Sequence, residues 1–291
     1  MRYQKGDRIR HPTMEDWGLG EVLEDSTAKT VRVFFVGAGE KTLALAYVEP
    51  IKVVPEEAAH PVLDNLKLKK TSSGIRYQSL PESIAYFLEQ FPEGFYGERF
   101  ERHERDYKVQ ANEQAKKLLS EPEIRSFIDA EDYKEVARRA LKVMNATNLM
   151  FPNEKMALKD GLEDEAATRG FAIALLNVLY GDAGMEERLM GFARVLEELD
   201  AAKWTTLTYF PFIVNPTEFM FVKPTITQHA AELCGFEINY RPQLNWLTYK
   251  QVLNLSKYLK AELAELNPRD MIDVQSFMWC IAPGKYHSAS D

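Results

Sequence analysis

Cysteine and histidine are scarce in this chain, and neither is arranged for chemistry. Only two cysteines occur among 291 residues, Cys234 and Cys280, and they lack CxxC spacing. The five histidines form no HxxxH or HxH pair. Structural zinc sites and sequence-local redox motifs need such clusters. We therefore expect two buried thiols without a disulfide, no bound metal and no cofactor.

Long apolar runs are missing as well. The longest, such as residues 209–214, fall far short of the roughly 20 residues that span a bilayer. The N-terminal residues 1–7 carry charge but no apolar segment of the kind found in secretion signals. These features predict a cytoplasmic protein without membrane helices.

The chain also lacks an excess of positive charge. It has 36 lysines and arginines against 44 acidic residues, a formal net charge of −8. Proteins neutralise nucleic-acid phosphates with clustered cations, so any nucleic-acid binding here has to use a local basic patch. Apolar residues are plentiful by contrast: they make up 45% of the chain, enough to furnish a buried core.

Residues 5–54 show the pattern of short strands separated by turns. Residues 30–35 are β-branched and aromatic and partly alternate with polar ones, which is typical of a strand with one buried face. Two glycines in residues 17–20 flank the start of another strand. Four or five strands in about 50 residues share a core most readily by closing into a small barrel. The valines expected inside it are Val22, Val31 and Val33.

Three segments carry a family resemblance: Lys5-Gly6-Asp7-Arg8-Ile9-Arg10-His11-Pro12, residues 16–22 and residues 31–35. In order and spacing they resemble the Tudor-like, SH3-like barrels appended to UvrD/PcrA-type helicases and, more distantly, the polymerase-binding barrel of CarD-type transcription factors. The resemblance implies a module that binds a protein partner. Aromatic side chains often supply the hot spots of such surfaces, so we expect Trp17 or Phe34 to contact the partner.

The remainder of the chain is predicted to be helical. Residues 55–78 are polar and contain helix breakers, as in linkers. Further on, apolar residues such as Val136, Ala140 and Met144 recur with the helical period. The sequence thus predicts an α+β multidomain protein with four parts. These are a barrel at 1–54, a linker at 55–78, an all-helical domain at 79–286 and a tail at 287–291.

Two sets of residues are candidates for binding nucleic acid. The segment Thr225–Gln228 fits a capping box with Pro224 just before the helix, and that helix N-terminus, with Lys223 beside it, could instead hold a phosphate. The second set recurs every three residues with acidic residues interleaved, so it forms either a solvated, ion-paired face or a phosphate-contacting strip. Its members are Arg99, Arg102, Arg105 and Lys108.

Two further features concern the end of the chain. Asp270 and Asp273 precede the last predicted helix, where they could cap it or hold a metal. Tryptophans Trp246 and Trp279 are expected in the core rather than as platforms for stacked bases.

The C-terminal third loosely resembles the helical domain of the helix-hairpin-helix DNA glycosylase superfamily. The resemblance rests on an apolar stretch at 204–214, Asn215-Pro216, Lys223-Pro224 and residues 267–270. The glycine-rich hairpin of those enzymes is missing, and residues 221–228 contain no aspartate. The resemblance therefore implies a relative that binds nucleic acid without glycosylase chemistry.

Three functional hypotheses follow. The first is an adaptor in DNA repair, transcription or defence against foreign DNA, whose barrel docks on a protein while the helical domain contacts nucleic acid or a second protein. The second is a DNA-acting enzyme, nuclease-like or glycosylase-like, and the third is a purely structural interaction protein. A polar hollow lined by Lys223, Asp270 and Asp273 would favour the enzyme; an apolar interior there would favour the adaptor.

Overall fold

The computed structural model describes residues 2–54, 57–60, 63, 80–234 and 236–284. The predicted linker at 55–78 lies mostly outside these residues, and the predicted tail at 287–291 lies wholly outside them. An antiparallel sheet comes first and helices follow, so the predicted α+β order is confirmed.

The N-terminal part forms a five-stranded antiparallel sheet in the order β4-β3-β2-β1-β5. Within the described residues β4 and β5 are its two edges, so the sheet is open and the closed barrel that we expected is not formed. At one of these edges, β5 has only two residues and pairs with β1 alone. The strands are β1 (Arg8–Arg10), β2 (Leu19–Val22), β3 (Thr30–Phe35), β4 (Gly39–Ala44) and β5 (Ile51–Lys52).

Both faces of the sheet are covered. Alternation along β3 places Val31, Val33 and Phe35 on one face, where they pack with Val22. All four are at most 1% exposed, as predicted for the three valines. Phe34 points to the opposite face, where apolar side chains including Leu63 cover it. The sheet therefore has an apolar cluster on each side rather than one enclosed interior.

The described part of the helical region contains twelve α-helices, one of them only three residues long. A single π-helical turn, Glu101–Arg105, joins α2 to α3. The helices are α1 (Leu80–Gln90), α2 (Glu98–Phe100), α3 (Asp106–Leu118), α4 (Glu121–Asp129), α5 (Tyr133–Asn145), α6 (Pro152–Gly161), α7 (Glu165–Tyr180), α8 (Met185–Glu198), α9 (Trp204–Val214), α10 (Pro224–Leu233), α11 (Trp246–Glu262) and α12 (Met271–Cys280).

These helices share one continuous core. Every residue of α9 is buried, so this helix is surrounded on all sides by the others. Both cysteines are free thiols; Cys280 is buried as expected, whereas Cys234 is half-buried. The burial of Cys234 still raises its pKa to about 12. Across the described ranges, we find no helix that combines the length and the apolar character needed to cross a membrane.

The sheet packs against α11. A Cβ added to Gly39 would meet the Tyr258 ring at 3.2 Å, and the Val36 carbonyl accepts a hydrogen bond of 3.2 Å from the Glu237 backbone N–H. Asp16, beside the sheet, forms an ion pair with Lys250. The N-terminal sheet and the helices are therefore in direct contact, with a groove along their junction.

Candidate nucleic-acid interface

The helical geometry divides the predicted cationic strip in two. A step of three residues falls about 60° short of a full turn, so the first and last members of the strip lie on opposite faces. Arg99 and Arg102 are exposed, whereas Arg105 and Lys108 are buried, at 9% and 1% exposure. The expectation that all four line one phosphate-contacting surface is therefore corrected, since only Arg99 and Arg102 face solvent.

Arg105 is held by two carboxylates at the start of α12. Its Nη2 donates to Oδ2 of Asp270 and its Nη1 donates to Oδ1 of Asp273, each at 2.8 Å. Asp270 also caps α12, because its Oδ1 accepts from the backbone N–H of Ile272 at 2.9 Å, which confirms the predicted cap. Both aspartates thus bind an arginine, and the network ties the π-helical turn to α12.

Lys108 lies next to this network, inside the protein. Its Nζ donates to Oγ of Ser276 at 2.7 Å and lies 3.6 Å from Oε2 of Glu104. Burial lowers the pKa of Lys108, although the charge of Glu104 opposes that shift. The pair places one cation and one carboxylate side by side beneath the surface.

Lys223 is half-buried at the residue before α10. Its Nζ lies 4.6 Å from the centroid of the Phe151 ring and 4.8 Å from that of Trp279, and it donates to the Leu149 carbonyl at 3.3 Å. Pro224 is the first residue of α10, so the predicted capping box is not formed; proline suits that position because its φ is fixed at a helical value. Thr225 is exposed in the first turn.

A hollow of about 260 Å³ opens beside Lys223. We call it the Lys223 hollow. Its wall is polar, but Asp270 and Asp273 do not line it, and its one carboxylate is that of Glu104. Trp279, expected in the core, is half-buried and belongs to the wall. The lining residues are His103, Glu104, Tyr107, Lys108, Asn148, Leu149, Phe151, Lys223, Gln275 and Trp279.

Two neighbouring hollows share residues with the Lys223 hollow. One, of about 410 Å³, is lined by Arg99 and Arg102 and shares His103. The other, of about 500 Å³, is lined by Lys155, Lys159 and apolar side chains and shares Asn148 and Phe151. The three hollows are therefore neighbours on the surface.

Cations outnumber carboxylates on the walls of these three hollows. The carboxylates are those of Glu93, Glu98 and Glu104, and Glu98 forms an ion pair with Arg102. The Phe151 ring, 55% exposed, lines two of the hollows. The walls therefore carry a positive charge although the whole chain carries −8. We call these walls the cationic band; its cations are the exposed Arg99, Arg102 and Lys159 and the half-buried Lys155 and Lys223.

Sequence reasoning missed Phe151, Lys155, Lys159 and Gln275. The sequence contains one weak indication, since Phe151 directly precedes a proline that starts a helix. The structure shows that its ring is 55% exposed there. Lys155 and Lys159 lie four residues apart, on one face of that helix. Nothing in the sequence links these positions to Lys223.

The two predicted protein-binding residues have different environments. Phe34 is 6% exposed and packs inside the sheet, so it cannot anchor a partner at the surface. Trp17 is half-buried and its ring packs on that of Phe35, with centroids 5.2 Å apart. It lines a groove of about 390 Å³ between the sheet and α11, together with Lys41, Lys257 and Tyr258. We call this the Trp17 groove.

Comparison with known proteins gives one match. A family described as a protein of unknown function (DUF3553) matches residues 3–53. That segment contains all five strands of the sheet and none of the twelve α-helices. The chain matches no curated protein and no solved structure. The sheet is therefore similar to a family of unknown function.

Proposed function

We propose that the protein is an adaptor whose helical part binds single-stranded nucleic acid along the cationic band. The observation that carries the proposal is Phe151, an exposed aromatic ring with Lys223 over one face, at the junction of hollows lined by lysines and arginines. Proteins that bind single strands combine a positive groove along the backbone with aromatic rings on which bases stack.

The experiment is a fluorescence-anisotropy titration of a labelled strand of about 12 nucleotides, a length within the usual site size of such proteins. Phe151→Leu keeps an apolar side chain and the backbone hydrogen bond from Phe151 to Glu154 but removes the stacking ring. Loss of one stacked base weakens binding by about tenfold or more.

The matched control is Tyr47→Leu, which removes an aromatic ring that is 90% exposed in the turn after β4. It should leave the affinity unchanged. Equal affinity of the wild type and Phe151→Leu, or tighter binding of a duplex than of the single strand, would overturn the proposal.

The Trp17 groove supports the second half of the adaptor proposal, a Tudor-like, protein-binding sheet. Lys41 Nζ lies 5.8 Å from the Trp17 ring centroid and 5.3 Å from that of Tyr258, so the groove is aromatic with a cation above it. Lys257 is exposed at its rim. This combination fits an acidic peptide segment with one apolar anchor. Such a peptide should bind the wild type and lose affinity for Trp17→Ala; equal binding of both would remove the groove from the proposal.

The arrangement favours the adaptor over the DNA-acting enzyme. The enzyme hypothesis needed carboxylates beside Lys223, but Asp270 and Asp273 are bound to Arg105 and lie outside the Lys223 hollow. The adaptor would act in DNA repair, transcription or defence against foreign DNA, where a protein partner and a single strand are present together.

A further inference from the structure

Gln275 lies in the wall of the Lys223 hollow, and its side-chain oxygen is buried in that wall. The residue is 3% exposed and lines that hollow, yet its Oε1 has no hydrogen-bond partner among the residues that the structure describes. Buried polar groups are nearly always paired, because an unpaired one has lost its water without compensation. An unpaired acceptor in the wall of a hollow offers a hydrogen-bonding position to the donor of a bound ligand.

Two polar side chains near Gln275 on α12 already have partners. Ser276, the next residue of α12, accepts a hydrogen bond from Lys108 and donates to the Glu104 carbonyl at 3.3 Å. The turn before α12 is fixed by the cap at Asp270 and its pairing with Arg105. Gln275 is therefore held on a rigid helix, and its amide is available for recognition.

The size and walls of the hollow define the ligand. Its volume of about 260 Å³ greatly exceeds the roughly 30 Å³ of one water molecule. Tyr107, Phe151 and Trp279 supply aromatic surface, and Lys223 supplies a cation between two of those rings. A flat heterocycle with an N–H donor on its edge and a phosphate nearby fits this combination.

We propose that the Lys223 hollow binds one nucleobase bearing a phosphate, and that Gln275 Oε1 accepts a hydrogen bond from an N–H of the base. The inference rests on the proposed binding of nucleic acid and adds the site that receives a base. The base comes either from a strand lying on the cationic band or from a free nucleoside monophosphate, since both offer the same chemistry.

The variant that tests this is Gln275→Met, which keeps the side-chain length but removes the amide. Replacing an unpaired buried polar group by an apolar one of similar shape does not destabilise the fold. The midpoint of thermal unfolding should therefore stay the same or rise. A loss of binding by this variant then reports on recognition and not on folding.

Binding is measured with a base-containing strand and with a strand of equal length made only of abasic residues. Gln275→Met should weaken binding of the base-containing strand about fivefold, the usual effect of one neutral hydrogen bond. It should not change binding of the abasic strand. An equal loss for both strands, or none for either, would overturn the inference.

A second arm titrates the four nucleoside monophosphates by calorimetry. Binding that Gln275→Met weakens, without any binding of strands, would support the base site with a free nucleotide as ligand and would overturn the nucleic-acid proposal. Strand binding that responds to Phe151→Leu but not to Gln275→Met would support that proposal and overturn the base site. Binding of neither ligand would overturn both.

Discussion

Arg105 donates from Nη1 to Oδ1 of Asp273 over 2.8 Å, and the Asp273 side chain is fully buried. The other oxygen of that carboxylate accepts from the backbone N–H and from Nε of Arg269, both at 2.9 Å. One carboxylate thus joins the π-helical turn that contains Glu104 to the start of the helix that contains Gln275. The shape of the Lys223 hollow depends on this connection.

Substituting Asp273 should therefore destabilise the protein strongly. In Asp273→Ala the buried guanidinium of Arg105 keeps Asp270 but loses its second partner, and breaking a buried ion pair in this way costs about 3–5 kcal/mol. Urea unfolding monitored by tryptophan fluorescence measures the loss. Glu98→Ala, which breaks an exposed ion pair with Arg102, is the control and should change the free energy of unfolding by less than about 1 kcal/mol. Similar losses for both would contradict the argument.

Acid should weaken the same connection. Burial alone would raise the pKa of Asp270, but the hydrogen bonds and charge of Arg105 and the N–H groups of α12 outweigh it and lower the pKa. A group with a lowered folded-state pKa contributes stability above its unfolded pKa, about 3.9 for aspartate, and loses it as the pH falls further.

We expect the free energy of unfolding to drop below about pH 4. The decline should be less steep in Asp270→Asn, which retains the capping oxygen but not the charge. Denaturant titrations between neutral and strongly acidic pH would show it. Parallel curves for the two proteins would rule out Asp270 as a source of the decline.

Two glycine substitutions should have opposite effects. A Cβ on Gly37 would lie 2.3 Å from the Asp16 carbonyl oxygen, at the junction of the sheet with α11, so Gly37→Ala should cost about 1–3 kcal/mol through overpacking. Gly170 lies inside α7 with nothing within 4 Å of an added Cβ. Gly170→Ala should stabilise the protein by up to about 1 kcal/mol because alanine favours helix. Thermal unfolding of both variants tests the contrast, and a shift of the same sign in both would refute it.

The continuity of the cationic band can be tested from its two ends. Arg99 and Lys159 are exposed cations in different hollows. If one strand contacts both, each alanine substitution should reduce the slope of log affinity against log salt by about 0.7, and the double variant by about 1.4. Anisotropy titrations at several salt concentrations measure the slope. Lys134→Ala, an exposed lysine outside the hollows, should leave it unchanged. An effect at one end only would restrict the band to that end.

The strand and helix patterns were readable from the sequence because they are local. The alternation in residues 30–35 correctly predicted that Val31 and Val33 are buried. Asp270 caps α12, as predicted. Whether the sheet closes could not be predicted from the sequence, since closure requires the two edge strands β4 and β5 to pair with each other. Phe34 was misplaced for a related reason: its face of the sheet is covered by Leu63, far along the chain.

The cationic strip shows more clearly what the spacing of residues in a sequence cannot predict. Spacing alone could not reveal that Arg105 and Lys108 would be buried against residues of α12 while Arg99 and Arg102 stayed exposed. Lys223 was identified from its position before a helix, but its neighbours Phe151, Trp279 and Gln275 come from other elements. No sequence pattern connects residues that are brought together only by packing.

The sequence by itself determined which segments form strands and helices, where α12 is capped, and that any nucleic-acid contact has to be local on an acidic chain. These properties follow from backbone preferences, apolar periodicity and charge, which act over a few residues or over the whole composition. Only the tertiary structure decided that Arg105 pairs with Asp270 and Asp273, and that Gln275 has an unpaired oxygen beside Lys223. Such pairings form between residues far apart in the chain, because burial forces each polar group to find its partner among whatever the packed helices place nearby.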